Sequence, residues 1–373
     1  MTYLQFFSPT FRASIKTAPL MTLLLASVAA ARPAEPTAAA APEAAAPPAA
    51  EPAAPAPAAQ AAPAAEPAPA EAPAVEAPEA EPAPVEAAPA APADAPKPPP
   101  YSLPWQLRPV APGNVIRSDT SIAFYKNPAN DESGTTIATS LLGSYKVTDN
   151  FAPLIRLGLV SNSPPTPAKG ATVFTNPVLG GLYGLKFDDF RLGLFLGLTL
   201  PIGGGGGDTP KAESRAAMLQ GGINARSAMD NAMFAMNYFT IFPGVGFAYV
   251  KDGLTLQAEV TLLQLTRVKG DAIPGEDSSR TNLTSGIHAG YFFIPELSAG
   301  VELRHQRWVS TPTPVKARNA LRDNTTVAIG PRAHFKLGEK TWLRPGVSVA
   351  LPVDSPMKSA DYVIAQIDVP FVF

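Results

Sequence analysis

The sequence predicts an all-β fold, an antiparallel up-and-down transmembrane β-barrel of about 12 strands, preceded by a disordered segment rich in proline and alanine. Three observations support this prediction. Beyond position 100, apolar and polar residues alternate in repeated segments of about 10–14 residues, as in half-buried strands. Short connections between these segments alternate with long ones. Of the 44 prolines, 21 are concentrated in residues 32–100, before that region.

Composition divides the chain into three parts. Residues 1–31 carry a charge of +2, residues 32–100 carry −8 and residues 101–373 carry +4, so the net charge of −2 reflects a cancellation. The alanines, prolines and glutamates of the middle part cannot build a hydrophobic core, which excludes a single compact domain of 373 residues. The absence of cysteine excludes a disulfide framework and thiol chemistry.

Residues 1–31 have the pattern of a secretory signal peptide. Arg12 and Lys16 precede an apolar run that begins at Leu20 and ends in small residues, with cleavage favoured after Ala31. The apolar run is shorter than the ~20 residues that a transmembrane helix requires. We therefore expect export from the cytoplasm, with an uncleaved disordered tail as the alternative.

Residues 32–100 predict a disordered, solvated periplasmic linker. Proline favours the extended polyproline conformation, so these 69 residues could span on the order of 200 Å when fully extended. Two interpretations stay open. The segment is either a tether toward peptidoglycan or a periplasmic or inner-membrane protein, or a linker without a specific ligand.

Residues 101–373 are predicted to form the barrel domain. In the clearest segment, Leu192, Leu194 and Leu196 lie on one face of a strand, and Arg191 and Gly193 lie on the other. A tilted strand of this length spans the apolar core of a bilayer. The predicted strands cover residues 115–125, 135–147, 151–161, 174–187, 190–201, 236–250, 253–266, 281–293, 296–309, 324–337, 341–352 and 361–373.

Two features depart from regular alternation. The pattern slips near Leu263, which predicts a β-bulge. Prolines inside strands remove hydrogen-bond donors, and a closed barrel has no free edge that tolerates this loss. We therefore expect bulges or strand ends at the six such prolines, which are Pro153, Pro177, Pro243, Pro331, Pro345 and Pro370.

The connections support the strand count. Tight links are predicted at 148–150, 188–189, 251–253, 295 and 338–340, and the long connections at 126–134, 162–173, 202–235, 267–280, 310–323 and 353–360. Short periplasmic turns that alternate with long external loops are typical of outer-membrane barrels, as is an even number of strands.

The final strand adds a second observation. Val363, Ile367, Phe371 and Phe373 lie on its apolar face. This strand resembles the C-terminal assembly signal of Gram-negative outer-membrane β-barrel proteins of the porin-like type. The resemblance covers residues 101–373 in architecture and residues 361–373 in motif. It implies recognition by the barrel-assembly machinery through Phe371 and Phe373, and insertion into outer-membrane lipid.

If the apolar faces meet lipid, the opposite faces line a lumen. The predicted inward set holds nine basic and four acidic residues, and such an excess favours passage of anionic solutes. The alternative is that the charges pair across a narrow or filled lumen. The candidate lumen-lining residues are Arg117, Arg156, Arg191, Glu259, Glu302, Arg304, Arg332, His334, Arg344 and Asp368, and the inward set also includes Asp119, Lys146, Lys186 and Lys336.

The longest predicted loop, 202–235, begins with a glycine hinge at Gly203, Gly205 and Gly207. Asp208 is the predicted N-cap of a short helix within the alanine- and methionine-rich stretch that follows. Because such a helix favours burial, we expect the loop to fold inward and constrict the pore rather than form a surface lid.

The sequence therefore favours a solute channel, and the alternative is a structural outer-membrane protein anchored through residues 32–100. A barrel-embedded lipid hydrolase is disfavoured, because Ser285 and His288 lie on opposite faces of their strand. We expect no catalytic residue, no metal and no cofactor, since no corresponding motif is present. The basic residues belong to strand faces, so no nucleic-acid partner is expected.

Overall fold

The computed structural model describes residues 101–270 and 276–373. The predicted signal peptide (1–31) and the predicted linker (32–100) lie outside the described residues. The strands are β1 (Val115–Lys126), β2 (Ser133–Ser144), β3 (Phe151–Ser163), β4 (Ala171–Phe174), β5 (Val178–Phe187), β6 (Phe190–Thr199), β7 (Tyr238–Lys251), β8 (Leu254–Arg267), β9 (Ser279–Ile294), β10 (Leu297–Trp308), β11 (Asp323–Ala333), β12 (Phe335–Lys336), β13 (Trp342–Leu343), β14 (Gly346–Pro352) and β15 (Val363–Val372).

These strands form one closed antiparallel barrel. Adjacent wall strands are antiparallel, and β1 closes the wall against β15 from Val115 opposite Val372 to Phe124 opposite Val363. β4 and β5 pair with successive parts of β3, so they are two pieces of one wall strand. The same holds for β11 with β12 and for β13 with β14. The wall therefore has the predicted twelve strands, and the predicted antiparallel β-barrel is confirmed.

Apolar side chains lie on the outside of the wall and polar ones on the inside. In β8, Leu256, Val260 and Leu262 are exposed, whereas Gln257 and Glu259 are buried. Exposed leucine, isoleucine, valine and phenylalanine side chains recur on the outer face of the other strands. An apolar outer surface with a polar interior is the arrangement of a barrel that crosses a bilayer. Among the described residues, no helix is long and apolar enough to span a membrane.

The connections give the barrel two different ends. Tight turns, such as Asp188-Asp189, lie at one end, which we call the short-turn end. In these turns, Asp188 and Asp252 have φ angles of 49°, in the left-handed region that aspartate tolerates better than most residues. The opposite end, which we call the long-loop end, carries the long connections. Short turns are periplasmic in barrels of this type.

The six prolines within predicted strands lie where ladder pairing is interrupted or ends. Pro177 separates β4 from β5, and Pro345 separates β13 from β14. Pro370 lies opposite that second break, between the β15 residues that pair with Leu343 and Gly346. Pro153 follows the end of the β2–β3 register, and Pro243 and Pro331 occupy two-residue gaps in the ladders of β7 with β8 and of β11 with β14. The registers on either side of Pro243, Pro331 and Pro345 are continuous. At Pro177 the register with β3 shifts by one residue between β4 and β5, as expected for a bulge.

The predicted bulge near Leu263 is wrong. β8 keeps a single register with β7 and with β9 along its length. Leu263 and Leu265 are 1% and 2% exposed because they point inward, where they pack in the apolar core of the barrel. The apparent slip in the pattern is a change in the inner face from polar to apolar.

Two segments contribute to the interior of the barrel. The inner segment (residues 101–113) precedes β1, and the inner loop (residues 203–236) connects β6 to β7. The inner loop contains α1 (Ala212–Ala216), a π-helical turn (Ala217–Gly222), α2 (Ile223–Ala225) and α3 (Asn231–Phe234). Other loops contain α4 (Thr313–Ala317) and the 3₁₀ turns Asn319–Leu321 and Lys358–Ala360.

The helix of the inner loop does not begin at the predicted N-cap, Asp208. Lys211 is the residue that precedes α1, its backbone is extended (φ −66°, ψ 131°), and no side chain caps the helix. The helix therefore starts with the alanines at position 212 and beyond, which have high helix propensity. Gly205 and Gly207 have φ angles of 81° and 92°, which only glycine adopts readily, and they turn the chain back toward the barrel.

Candidate functional site inside the barrel

The inner segment runs into the barrel from the short-turn end and returns to it. Ser102 contacts the first residues of β8, through a hydrogen bond from its N–H to Thr255 Oγ1 of 3.0 Å. Trp105 and Gln106 reach Glu302, midway along β10. The segment then turns back, and β1 begins at Val115, again at the short-turn end. It thus fills this half of the lumen.

Wall carboxylates accept hydrogen bonds from the backbone of the inner segment. Glu302 Oε2 accepts from the N–H of Trp105 at 2.8 Å, and its Oε1 accepts from the N–H of Gln106 at 3.0 Å. Glu259 Oε2 accepts from the N–H of Arg108 at 2.6 Å. Glu302 is fully buried and Glu259 nearly so. Hydrogen bonds to an ionised carboxylate are stronger than those between neutral groups, so these contacts fix the path of the segment.

Wall donors bind the carbonyls of the same stretch. Arg117 Nη2 donates to the carbonyls of Pro104, at 2.9 Å, and of Trp105. Arg332 Nε donates to the Leu103 carbonyl at 3.2 Å, and Arg344 Nη2 donates to the Tyr101 carbonyl. Gln257 Nε2 donates to the Arg108 carbonyl at 2.7 Å. The wall therefore recognises both kinds of backbone group between residues 101 and 108.

Glycines on the inner face of the wall leave space for the segment. A Cβ atom added to Gly286 would lie 2.7 Å from Leu107 Cδ1, and one added to Gly246 would lie 2.7 Å from Val110 Cγ1. At Gly193 it would lie 3.0 Å from Val110 Cα and from its carbonyl oxygen. These distances are shorter than normal Cβ contacts, so any larger residue would push the segment away from the wall.

The side chains of the segment also fit the wall. The Trp105 ring, 1% exposed, packs edge-on against His288 with the ring centroids 5.9 Å apart. The Arg108 guanidinium pairs with Glu259 at 3.1 Å and lies 4.5 Å from the centroid of the Phe195 ring. Such a cation–π contact adds to the ion pair.

The inner loop is tied to the wall by buried ion pairs. The Arg226 guanidinium, 2% exposed, contacts Asp119 of β1 at 2.7 Å and Asp230 of its own loop at 2.8 Å. Arg156 of β3 contacts Asp230 at 2.6 Å. Burial of Asp230 disfavours its charge, but Arg156 and Arg226 outweigh that effect and hold its pKa well below its usual range. The loop is therefore held by charge as well as by packing.

Apolar contacts complete the docking of the inner loop. Met218, Met229, Met233 and Met236 are at most 3% exposed, and all but Met229 lie in the same apolar core as Leu263 and Leu265. The two inward leucines of β8 thus belong to the half of the barrel that the loop fills.

Two cavities inside the barrel border the inner loop. One of about 200 Å³ lies beside the inner segment and is bordered by Arg108, Arg156, Asp230 and Arg344 among others. The other, of about 290 Å³, lies at the long-loop end and is bordered by Asn231, Trp308 and Tyr362 among others. Met229, Asp230, Ala232 and Met233 border the first cavity and Asn231 the second, so residues 229–233 lie between the two.

The structure brings many of the predicted lumen residues together in buried pairs. Arg117 and Arg332 both bind Asp368, and Arg304 binds Glu302 at 2.6 Å. Glu259 binds Arg108, which the sequence pattern had not singled out. These contacts follow the pattern expected for charges that pair within a filled lumen. The excess of positive charge on the wall stays a prediction.

Four basic residues of the predicted inward set lie at the short-turn rim rather than in this network. Arg191 donates to the backbone carbonyls of Asp188 and Phe190. The side chains of Lys146, Lys186 and Lys336 are exposed.

Sequence reasoning missed the inner segment. Residues 101–113 were assigned to the barrel domain with no role of their own. The signal that could have revealed them is a short alternation, Tyr101, Leu103, Trp105 and Leu107, that ends before the first predicted strand. All four side chains are buried.

A buried serine–histidine contact is oriented against catalysis. Ser298 Oγ lies 2.8 Å from His334 Nε2, and Arg344 Nε donates to His334 Nδ1 at 3.0 Å. Because an arginine can only donate, Nδ1 must be unprotonated and Nε2 carries the ring proton of the neutral imidazole. Nε2 therefore donates to the serine and cannot accept its proton.

No metal-binding group stands out in residues 101–270 and 276–373, since no three histidine or acidic side chains there are placed to share an ion.

A closed antiparallel barrel with an apolar exterior and a polar, peptide-filled interior defines a transmembrane β-barrel of the outer-membrane type. No protein-family model and no curated protein matches the sequence. Solved structures of outer-membrane channels and porins are remotely similar to this chain. An outer membrane channel from Pseudomonas putida F1 shares 16% identity with a TM-score of 0.46, over 72% of this chain and 98% of that one.

The NanC porin shares 10% identity with a TM-score of 0.41, over 69% of this chain and 98% of that one. The KdgM porin in complex with disordered oligogalacturonate shares 12% identity with a TM-score of 0.38, over 69% of this chain and 99% of that one. These similarities are too remote to define a function, and the class rests on the closed pairing and the apolar exterior.

Proposed function

We propose that the protein is an outer-membrane solute channel that is closed by the inner segment and the inner loop. The observation that carries the proposal is the way in which these two segments are held inside the barrel. Two segments of chain occupy the lumen, and neither of them is a strand of the wall. Segments that are held by hydrogen bonds, ion pairs and side-chain packing in this way can leave without unfolding the wall.

Displacement of both segments would leave a positively charged lumen. The wall would then present Arg117, Arg156, Arg304, Arg332 and Arg344 without their partners on the two segments. Against these stand four wall acids, Asp119, Glu259, Glu302 and Asp368. Rings of like charge set the preference of a pore for ions of the opposite sign, so the open channel favours anionic solutes.

The proposal includes the route to the membrane. Residues 1–31 direct export as a signal peptide. The last strand then presents Phe371 and Phe373 to the barrel-assembly machinery. Phe373 donates its N–H to the Asn114 carbonyl at 3.1 Å, so the terminal residue also completes the seam between β15 and β1.

A second candidate function is structural anchoring. The inner segment directly follows residues 32–100 in the sequence, and its backbone is bound to five different wall strands. Such an attachment would transmit force from a linker bound to peptidoglycan or a periplasmic protein. A lipid hydrolase is not favoured, because the tautomer fixed by Arg344 prevents His334 from acting as the base for Ser298.

Conductance of the refolded protein in a planar bilayer tests the channel. We expect rare openings in the wild type and frequent openings in Arg226→Met, in which Asp119 and Asp230 lose their shared partner. Lys251→Met is the control, because the Lys251–Asp189 pair is exposed on the wall. If a variant with a released inner loop never conducts, structural anchoring is the better explanation.

A further inference from the structure

We propose that the short-turn half of the lumen is a peptide-binding site, and that residues 101–108 are its ligand in cis. The ligand class is a peptide of about eight residues with large apolar side chains at alternate positions. This inference rests on one part of the proposed function, the ability of the inner segment to leave, and does not depend on conduction.

The first support is the form of the hydrogen bonding. Over residues 101–108, the wall accepts from four backbone N–H groups and donates to five carbonyls, and every partner is a wall side chain. Main-chain hydrogen bonds are available from any peptide, so this part of the site supplies affinity with little dependence on sequence.

The second support is the set of side-chain positions. Tyr101, Leu103, Trp105 and Leu107 are all less than 9% exposed, and the backbone bends at residues 105–107. Tyr101 and Leu103 lie near Arg344 and Arg332, whereas Trp105 and Leu107 pack against β9, so each side chain has its own position on the wall. The Trp105 side chain packs against His288. The Leu107 side chain occupies space that is open because Gly286 has no side chain.

The third support is that glycines on the inner face of the wall leave space that a peptide occupies. Gly193, Gly246 and Gly286 leave a channel that a single added carbon would obstruct. Buried carboxylates and guanidiniums on the same wall would be costly without partners. A vacated site would therefore bind a second peptide of similar chemistry, such as an oligopeptide solute or the segment of another copy.

The test begins with the full chain carrying a protease recognition sequence between Gly113 and Asn114. This position lies at the barrel rim, and a Cβ on Gly113 would meet no atom within 4 Å. After folding in detergent and cleavage, the severed segment is held only by non-covalent contacts. A fluorescent peptide of residues 101–112 is then added, and its binding is followed by anisotropy.

We expect saturable binding of one peptide per barrel, with release of the severed segment. A matched peptide that carries Trp105→Asp and Leu107→Asp should bind at least about tenfold more weakly, since ~1.4 kcal/mol corresponds to a factor of ten. Equal binding of both peptides, or a cleaved barrel that never exchanges its segment, would overturn the proposal.

A second measurement avoids the insertion. The uncut Gly193→Ala protein should bind a labelled peptide of residues 101–108, which lacks Val110, more tightly than the wild type does, because the added carbon displaces Val110 and with it the end of the cis segment. Equal binding by the two proteins would also count against the proposal. A barrel that binds the peptide but conducts no ions would refute the channel and leave the peptide site intact, and the reverse result would do the opposite.

Discussion

Glu302 of β10 accepts two backbone hydrogen bonds, from Trp105 at 2.8 Å and from Gln106 at 3.0 Å, although these residues are nearly 200 positions apart in the chain. The same carboxylate binds Arg304 at 2.6 Å. One buried side chain thus holds the inner segment in the barrel and balances a wall arginine.

Glu302→Gln should release the middle of the inner segment. The amide has one acceptor oxygen in place of two, and Arg304 is left buried without its counter-charge, which costs on the order of 3–5 kcal/mol. We expect a lower temperature of heat-induced unfolding on gels and more frequent openings in bilayers. Glu296→Gln, at an exposed turn between β9 and β10, is the control and should leave both readouts unchanged.

Gly193→Ala should displace the inner segment by steric overlap alone. The added carbon would lie 3.0 Å from the backbone of Val110, at an expected cost of ~1–3 kcal/mol. Limited proteolysis should then cut near residue 110 faster than in the wild type. Gly143→Ala is the matched control, because its Cβ would meet only Ile155 Cγ2 at 3.7 Å. Similar cleavage of both variants would mean that the segment tolerates the overlap.

Acid should release the inner loop. Because burial is outweighed by Arg156 and Arg226, the pKa of docked Asp230 is lowered, so the ion pairs stabilise docking fully above the pKa of a free aspartate, ~3.9. That stabilisation is lost as the pH falls through the lowered pKa. We expect the open probability to rise on acidification below about pH 3.9 and not between pH 5 and pH 8.

Asp230→Asn checks this explanation. The variant should open more often at neutral pH, because Arg156 and Arg226 lose a shared counter-charge, and its response to acid should be smaller than that of the wild type. An unchanged acid response would assign the effect to another group, such as Asp119.

Anion preference should appear only in variants in which the inner segment or the inner loop is displaced. Reversal potentials of the Arg226→Met channel under a salt gradient should indicate anion selectivity. Arg332→Gln in the same background should reduce it, because the lumen wall loses one positive charge. Cation selectivity in the Arg226→Met channel would contradict the positive lumen.

The wall could be predicted from the sequence because each strand carries its own signal. Alternation in β6 and β8 places Leu194 and Leu256 outside and Glu259 inside without knowledge of any other strand. The contents of the lumen could not be predicted in this way. The partner of Trp105 is Glu302, and no local pattern links two residues so far apart.

Leu263 shows the same limit within one strand. Its inward position breaks the polar pattern of the inner face, and the sequence alone attributes that break to a bulge. The inner loop, which carries Met218 and Met233, makes an apolar inner face favourable at this level of the barrel. The inward fold of the loop was expected from its composition, but the ion pair between Arg226 and Asp119 was not.

The most direct test of the closed channel is to lock the inner segment in place. Ser102 Oγ and Ser298 Oγ lie 3.5 Å apart, and the protein has no cysteine of its own. In the double variant Ser102→Cys and Ser298→Cys, a disulfide would fasten the segment to β10. The same protein also carries Arg226→Met, which frees the inner loop. We expect rare openings when this protein is oxidised and frequent openings after reduction. Equal conductance in the two redox states would contradict the closed channel.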